Sequence, residues 1–343
     1  MLNADQYRDG NAESCHVIII GGGIAGLSAA RALADAGIDV QVLEQAPHVG
    51  GRLSTFREDS GTFDAGAQYF TVRRPEFRPI AEFWLNSGAA KEWTRAFPDS
   101  SGVTELSSHP RYYGIAGMQS LAEALATGLR VRTHTTVKRL CEGKACWVLE
   151  LEDRRSIVAD IVVLTPPLPL ALRLISDENT WRMGALLLPL AGITYKPDVI
   201  VTALLEGSSG LPVPGALRVD HKTVAWIADN RIKGISPDAD AVTIHGTPLF
   251  NETCGNKSLD EASAELLEAA APFLKSRIRS HKVHRWTHGT PSSTLLSAYY
   301  LVDGRAPLYF AGDAFAGGRI EGAAVSGIET AKSILERLKK KVV

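Results

Sequence analysis

The chain has 343 residues, enough for two domains or for one large domain with an insertion. Its 45% hydrophobic and 22% charged residues are the proportions of an ordinary soluble globular protein. A formal net charge of −1, from 37 basic and 38 acidic side chains, offers no basic surface for nucleic acid or an anionic membrane, and neither is expected as a partner.

The first fifteen residues, MLNADQYRDGNAESC, are polar and lack the apolar stretch of a secretory signal, so 1–13 reads as a polar extension. Residues 17–20, VIII, form an apolar strand running into Gly21, Gly23 and Gly26, spaced as G-x-G-x-x-G. The first glycine permits a tight turn, and the second lets the backbone approach a pyrophosphate. The third lets the following helix, with its positive N-terminal end, pack against the strand. That helix is expected over 27–36, with Gly37 at its left-handed cap. The next apolar run, 40–43, ends at Glu44, 18 positions after Gly26, where a carboxylate can accept hydrogen bonds from an adenosine ribose. Strand, turn, helix, strand and acid in this order predict a dinucleotide-binding β-α-β unit over 17–44.

Helical spacing recurs over 74–88 and 117–127. Strands are expected at 131–137, 146–151 and 157–164, the last stopped by TPPLP, whose prolines remove backbone donors. β-rich segments follow at 199–205, 224–227 and 241–245. An amphipathic helix is expected over 259–274, then strands at 283–286 and 308–311 and a closing helix over 322–338. The longest apolar run, 183–195, has 13 residues and contains Pro189, too short to cross a bilayer. Cys15, Cys141, Cys146 and Cys254 form no C-x-x-C pair and no zinc pattern, so no metal is expected. They read as free thiols in a reducing, cytoplasmic compartment.

Three further elements separate FAD from NAD. Gly50-Gly51-Arg52 lets the backbone pass near phosphate and places a guanidinium to pair with it. Residues 64–70, DAGAQYF, combine small and polar residues suited to a loop lying against a flat ring. Gly312-Asp313, after the apolar 309–311, offers a carboxylate to a ribityl chain. A helix starting near Gly322 would point its amides at the pyrimidine end of an isoalloxazine, where reduced flavin is negative, at about 0.3–2 kcal/mol. Nucleotide contacts are expected from Gly21, Gly23, Ile24, Ala25, Gly26, Glu44 and Gln45 in the opening unit, then from Gly51 and Arg52. Ala67, Gln68, Tyr69 and Val137 follow, and the late set is Gly312, Asp313, Arg319, Glu321, Gly322 and Ala323.

A second nucleotide element so late in the chain implies a discontinuous domain. The expected fold is α/β: a Rossmann-type FAD-binding domain over 14–75, 128–170 and 295–338. An inserted α+β substrate domain, on a mixed antiparallel sheet, occupies 76–127 and 171–294.

GGGIAGLSAA, GGRLST, DAGAQYFT and AGD…GGRIEGAAVSG together resemble the amine oxidase-like branch of two-domain flavoproteins. The closer resemblance is to renalases and their bacterial relatives, in which D-x-GAQY-x-T is distinctive. It continues through 225–231 (AWIADNR), 243–245 (TIH) and 284–286 (HRW), so it spans about 14–338. Ala314, Phe315 and Ala316 and the segment 99–115 depart from the pattern, which bears on substrate shape. The resemblance implies an FAD-dependent oxidase that takes hydride from 2- or 6-dihydro isomers of nicotinamide dinucleotides. Dioxygen is then the electron acceptor and hydrogen peroxide a product.

Such chemistry needs a donor carbon held against flavin and exclusion of water, with no strong acid or base. His245, in TIHGT, is either a hydrogen-bonded core histidine or a donor to the substrate carboxamide. Gln68 and Tyr69 are expected near the flavin, and Trp226 and Trp286 as ring walls or as core. Asn230 and Arg231 are either phosphate contacts or a surface turn. The catalytic set is thus His245, Gln68, Tyr69 and Trp286. His281, His284 and His288 complete no metal set, since alternate strand positions face opposite sides. Two other functions remain open: an amine oxidase, with Lys282 or Lys332 near the flavin, and a flavin-binding protein with little catalysis.

Overall fold

In the computed structural model, which describes residues 13–175, 177–254 and 257–342, the apolar 17–20 lie within the strand Glu13–Ile20. Val17, Ile18 and Ile19 are fully buried there, each contributing at most about 1.5–3 kcal/mol of apolar burial. This strand pairs in parallel with Val40–Leu43 on one side and with Ser156–Leu164 on the other. Among the described residues the sheet has eight strands. Its main path runs Tyr300–Val302, Leu308–Phe310, Ser156–Leu164, Glu13–Ile20, Val40–Leu43, Val131–Arg132. Val137–Glu142 and Trp147–Leu151 extend it through an antiparallel pairing with Ser156–Leu164. The helices Ile24–Asp35 and Arg319–Val342 bury Ala29, Leu33, Ala331 and Ile334 in one core with Val17, Ile19 and Tyr309.

This unit comprises residues up to Gly51, Ala122–Thr194 and Pro291 onward; the other comprises Arg52–Leu121 and Tyr195–Thr290. The divisions differ from those expected near 75 and 170 for physical reasons. Residues 55–64 form a hairpin, Thr55–Glu58 with Gly61–Asp64, whose Asp64 is ion-paired within the second unit. The helix Asp177–Ala191, unforeseen in the apolar run, packs on Leu168–Arg173 of the first.

The second unit is built on a five-stranded sheet ordered Ala216–Arg218, Val224–Asp229, Ala241–Gly246, Tyr195–Leu205, Ile278–Pro291. Val199, Val201, Val224, Ile227, Val242 and Ile244 face a core closed by the helix Leu259–Ala270. A capping box explains where that helix begins. Ser258 Oγ accepts the Glu261 amide and the Glu261 carboxylate accepts the Ser258 amide, which holds the Glu261 carboxyl below its usual range.

Several expected boundaries shift. The expected strand at 131–137 is two, Val131–Arg132 and Val137–Glu142. The closing helix starts at Arg319, so Gly322 lies inside its first turn. All four cysteines are buried, and none forms a disulfide among the described residues. Burial, aided by Asp39, pushes the Cys15 thiol up to about 12, leaving it inert. Among the described residues no helix is long and apolar enough to cross a membrane.

Candidate cofactor and active site

In the first unit, the chain leaves the strand Glu13–Ile20 through Gly21 at φ +103°, a conformation that favours glycine. A Cβ there would collide with Thr165 Oγ1, and one at Gly26 would overlap the Gly21 carbonyl. Thr165, which sequence reasoning passed over, donates to the carbonyls of Ile20 and Gly21 at 2.8 and 3.1 Å and so ties the turn to the neighbouring strand. Gly23 is the helix N-cap, with no side chain bonded to the first-turn amides, and a Cβ on it would meet open space. Gly51, at φ +55°, approaches Gly23 from the adjoining turn, and Ile24 and Ala25 open the helix. First-turn amides with no side-chain cap, beside an open glycine surface, fit a pyrophosphate.

Glu44 is buried, and both its oxygens accept amides: Oε2 from Gly22 at 2.6 Å and Oε1 from Ala46 at 2.8 Å. Each oxygen keeps a second lone pair for a ribose hydroxyl. Gln45 is exposed beside it, and Val137 is buried at the start of its strand. Glu44→Ala removes an acceptor from the Gly22 amide and is expected to weaken FAD about fivefold to a hundredfold. Unchanged FAD retention after dialysis would end its nucleotide role.

The late elements lie in the same unit. Gly312, at φ +136°, donates its amide to the buried Ser326 Oγ at 2.9 Å, with Asp313 beside it half-buried. Ala316, Gly317, Gly318 and Arg319 all have positive φ, from +53° to +85°. Two are not glycine, so backbone strain concentrates at the entry to the closing helix, as functional turns often show. Arg319 is exposed, Glu321 half-buried, and Gly322 and Ala323 are buried in the first turn.

In the second unit, the 64–70 loop is organised by a residue the sequence did not reveal. Lys233, fully buried, donates to Asp64 Oδ2 at 2.6 Å and to the Gln68 carbonyl at 2.8 Å. Its ammonium lies 4.6 Å from the Trp93 ring centroid. Burial pulls the Lys233 pKa down, and the Asp64 carboxylate opposes that shift. Asp64 Oδ1 accepts Thr55 Oγ1 and the Met118 amide, each at 2.7 Å. A Cβ at Gly66 would overlap the Arg52 carbonyl, which accepts the Ala67 amide at 3.0 Å. The Arg52 guanidinium donates to the Gly289 carbonyl at 3.0 Å and lies over the Tyr195 ring.

The Gln68 side chain donates to the Asp64 carbonyl at 2.7 Å, and its Nε2 is 3.1 Å from His245 Nε2. Asp198 Oδ2 stands 3.4 Å from His245 Nδ1, another partner that sequence reasoning missed. Tyr69 packs in an aromatic group with Phe97 and Trp226, at ring separations of 5.5 and 6.3 Å. Trp286 donates to the Ala65 carbonyl at 2.7 Å and pins the same loop. Four sequence-predicted residues, Gln68, Tyr69, His245 and Trp286, thus share one neighbourhood.

Others do not join it. Asn230 is buried, not a surface turn, and its Nδ2 donates to Thr243. Arg231 pairs with Asp240 at the surface. Lys282 and Lys332 sit in exposed ion pairs with Glu58 and Glu329. His281 is exposed, and among the described residues no cluster of three or more His, Cys, Asp or Glu is placed to hold a metal ion.

Residues 19–84 match an NAD(P)-binding Rossmann-like domain, and residues 96–335 match the flavin containing amine oxidoreductase family. The chain belongs to that family of flavin-containing amine oxidoreductases. Its cofactor is accordingly FAD and its class that of the FAD-dependent oxidoreductases. Solved structures share the fold of this flavoprotein. A putrescine oxidase bound to putrescine superposes with TM-score 0.70 at 16% identity, over 95% of this chain and 100% of that one. A CLA-producing fatty acid isomerase from P. acnes gives 0.67 at 14% identity, over 94% and 98%. A 4,4'-diaponeurosporene oxygenase of Staphylococcus aureus is 29% identical over 107 residues, 27% of this chain and 22% of that protein. The flavoprotein therefore matches about a fifth of the length of such curated relatives.

Proposed function

We propose that this flavoprotein oxidises isomeric dihydronicotinamide dinucleotides, the 2- or 6-dihydro forms of NAD(P), to NAD(P)+. When bound, FAD supplies the hydride acceptor, and dioxygen takes the two electrons to give hydrogen peroxide. The first unit then holds the dinucleotide end of FAD on its glycine turns, with Gly312, Asp313 and the closing helix serving the ribityl chain and ring. The second unit carries the proposed substrate contacts Gln68, Tyr69 and Trp286, with His245 holding Gln68.

One observation carries this reading beyond the family resemblance. The buried lysine of the second unit is committed to Asp64 and the Gln68 carbonyl, and the other candidate lysines are surface ion pairs. What touches Gln68 is the His245 imidazole, the backbone carbonyls of Asp64 and Gly66, and the Lys233 ammonium already committed to Asp64. That chemistry orients a ring and excludes water, and it supplies no strong base. It suits a donor whose nitrogen lone pair expels hydride without losing a proton. Four buried cysteines outside any disulfide support a reducing, cytoplasmic setting.

Anaerobic mixing of the FAD-loaded protein with 6-dihydroNAD is expected to bleach the flavin band within one turnover. Bleaching by amines alone would replace this reading with amine oxidation. No bleaching by either would leave a flavin-binding protein with little catalysis.

A further inference from the structure

Among the buried polar atoms of the second unit that lack partners among the described residues, two lie beside His245: Gln68 Oε1 and Trp226 Nε1. One is an acceptor and the other a donor. Trp226 stands directly opposite His245 in the antiparallel pair Val224–Asp229 with Ala241–Gly246, so the two side chains leave the sheet on the same face. Gln68 is bonded to that same His245. An unpaired acceptor and an unpaired donor therefore flank one imidazole.

The surrounding carbonyls decide which way the Gln68 amide points. Its Nε2 lies 2.7 Å from the Asp64 carbonyl and 3.2 Å from that of Gly66. The opposite orientation would set oxygen against both carbonyls. With Nε2 thus a donor, His245 Nε2 must be an acceptor, and its proton sits on Nδ1, facing Asp198 Oδ2 at 3.4 Å. His245 then cannot donate to a substrate carboxamide. Its role is to hold Gln68, whose amide donor fixes the tautomer, while Asp198 stands 3.4 Å away on the Nδ1 side.

We infer that Gln68 Oε1 and Trp226 Nε1 form a subsite for a planar primary carboxamide, accepting its N–H and donating to its C=O. On the reading that the substrate is a dihydronicotinamide dinucleotide, this is the ring carboxamide. A buried acceptor facing a ligand without N–H stays unsatisfied, so the subsite discriminates against such ligands.

The test uses FAD-loaded protein and titrates NAD+ against its 3-acetylpyridine analogue, which keeps the C=O and lacks the N–H. Wild-type protein is expected to bind NAD+ about fivefold to a hundredfold more tightly than the analogue. Gln68→Leu should abolish that ratio, while Trp226→Phe should weaken both ligands alike. Equal affinity in the wild type, or a ratio that survives Gln68→Leu, overturns the subsite and leaves the dihydronicotinamide reading standing. Equal affinity together with a Gln68→Leu shift in the flavin spectrum instead assigns the pair to the amide edge of the cofactor. Failure of either dinucleotide to bind overturns both. Should Gln68→Leu not fold, the histidine nitrogen shifts of the wild-type protein still decide: an Nε2-protonated His245 refutes the assignment.

Discussion

Lys233→Met is expected to destabilise the protein by about 3–5 kcal/mol, because it leaves the Asp64 carboxylate buried and unpaired. Both partners have fully buried side chains, so the surviving charge has no water to turn to. The Gln68 carbonyl loses its donor at the same time. The double variant Asp64→Asn/Lys233→Met should recover much of the loss, since a neutral amide can still accept Thr55 Oγ1 and the Met118 amide. Denaturant unfolding of the two single variants and the double measures this directly. A loss below 1 kcal/mol in Lys233→Met would show that the loop does not depend on the ion pair. Flavin reduction should slow in the double variant even where stability returns, because Gln68 is then held by fewer bonds.

Gly26→Ala and Gly23→Ala should fail in different ways. The methyl at position 26 has nowhere to go, since Gly21 O and Thr165 Oγ1 occupy its space. A loss of about 1–3 kcal/mol in the apoprotein is expected, with weakened FAD binding. At Gly23 the backbone is extended, at φ −76° and ψ 178°, and the Cβ would meet open space. Alanine there should fold normally and lose FAD affinity alone, because its methyl stands where phosphate approaches. Thermal melting of the apoproteins beside FAD titration separates the two. A Gly23→Ala protein that binds FAD as tightly as the wild type would move the pyrophosphate away from this turn.

The parts legible in the sequence were local ones. Residues 17–44 announce themselves because turn, cap and strand pattern lie within one β-α-β unit, and the helix at 259 shows in its own apolar spacing. The Lys233 pairing with Asp64 spans 169 positions, and no local pattern distinguishes a lysine that will be buried from one that will be solvated. Asp198 behind His245 was hidden for the same reason. Ile278–Pro291 is a 14-residue strand of which only 283–286 was foreseen, because an edge strand with exposed Arg279, His281 and Lys282 shows little apolar alternation. At the closing helix, Gly317 and Gly318 obscured a start at Arg319. The hairpin at 55–64, with Asp59 at its left-handed corner, moved the boundary between units.

The meeting of the two helices in the first unit also bears on biosynthesis. A Cβ at Gly327 would overlap the Ala25 carbonyl, so the closing helix lies directly on the helix that carries the nucleotide turn. Those residues are 302 positions apart. During synthesis at roughly 5–20 residues per second, the glycine turn emerges tens of seconds before the surface that buries its helix. Until then Ala25, Ala29 and Leu33 are uncovered, and the loop that joins them to their partners is the costliest closure in the unit. On the proposed cofactor site, capture is expected to be a late event in the life of the nascent chain, because Gly312, Asp313 and the closing helix are made last.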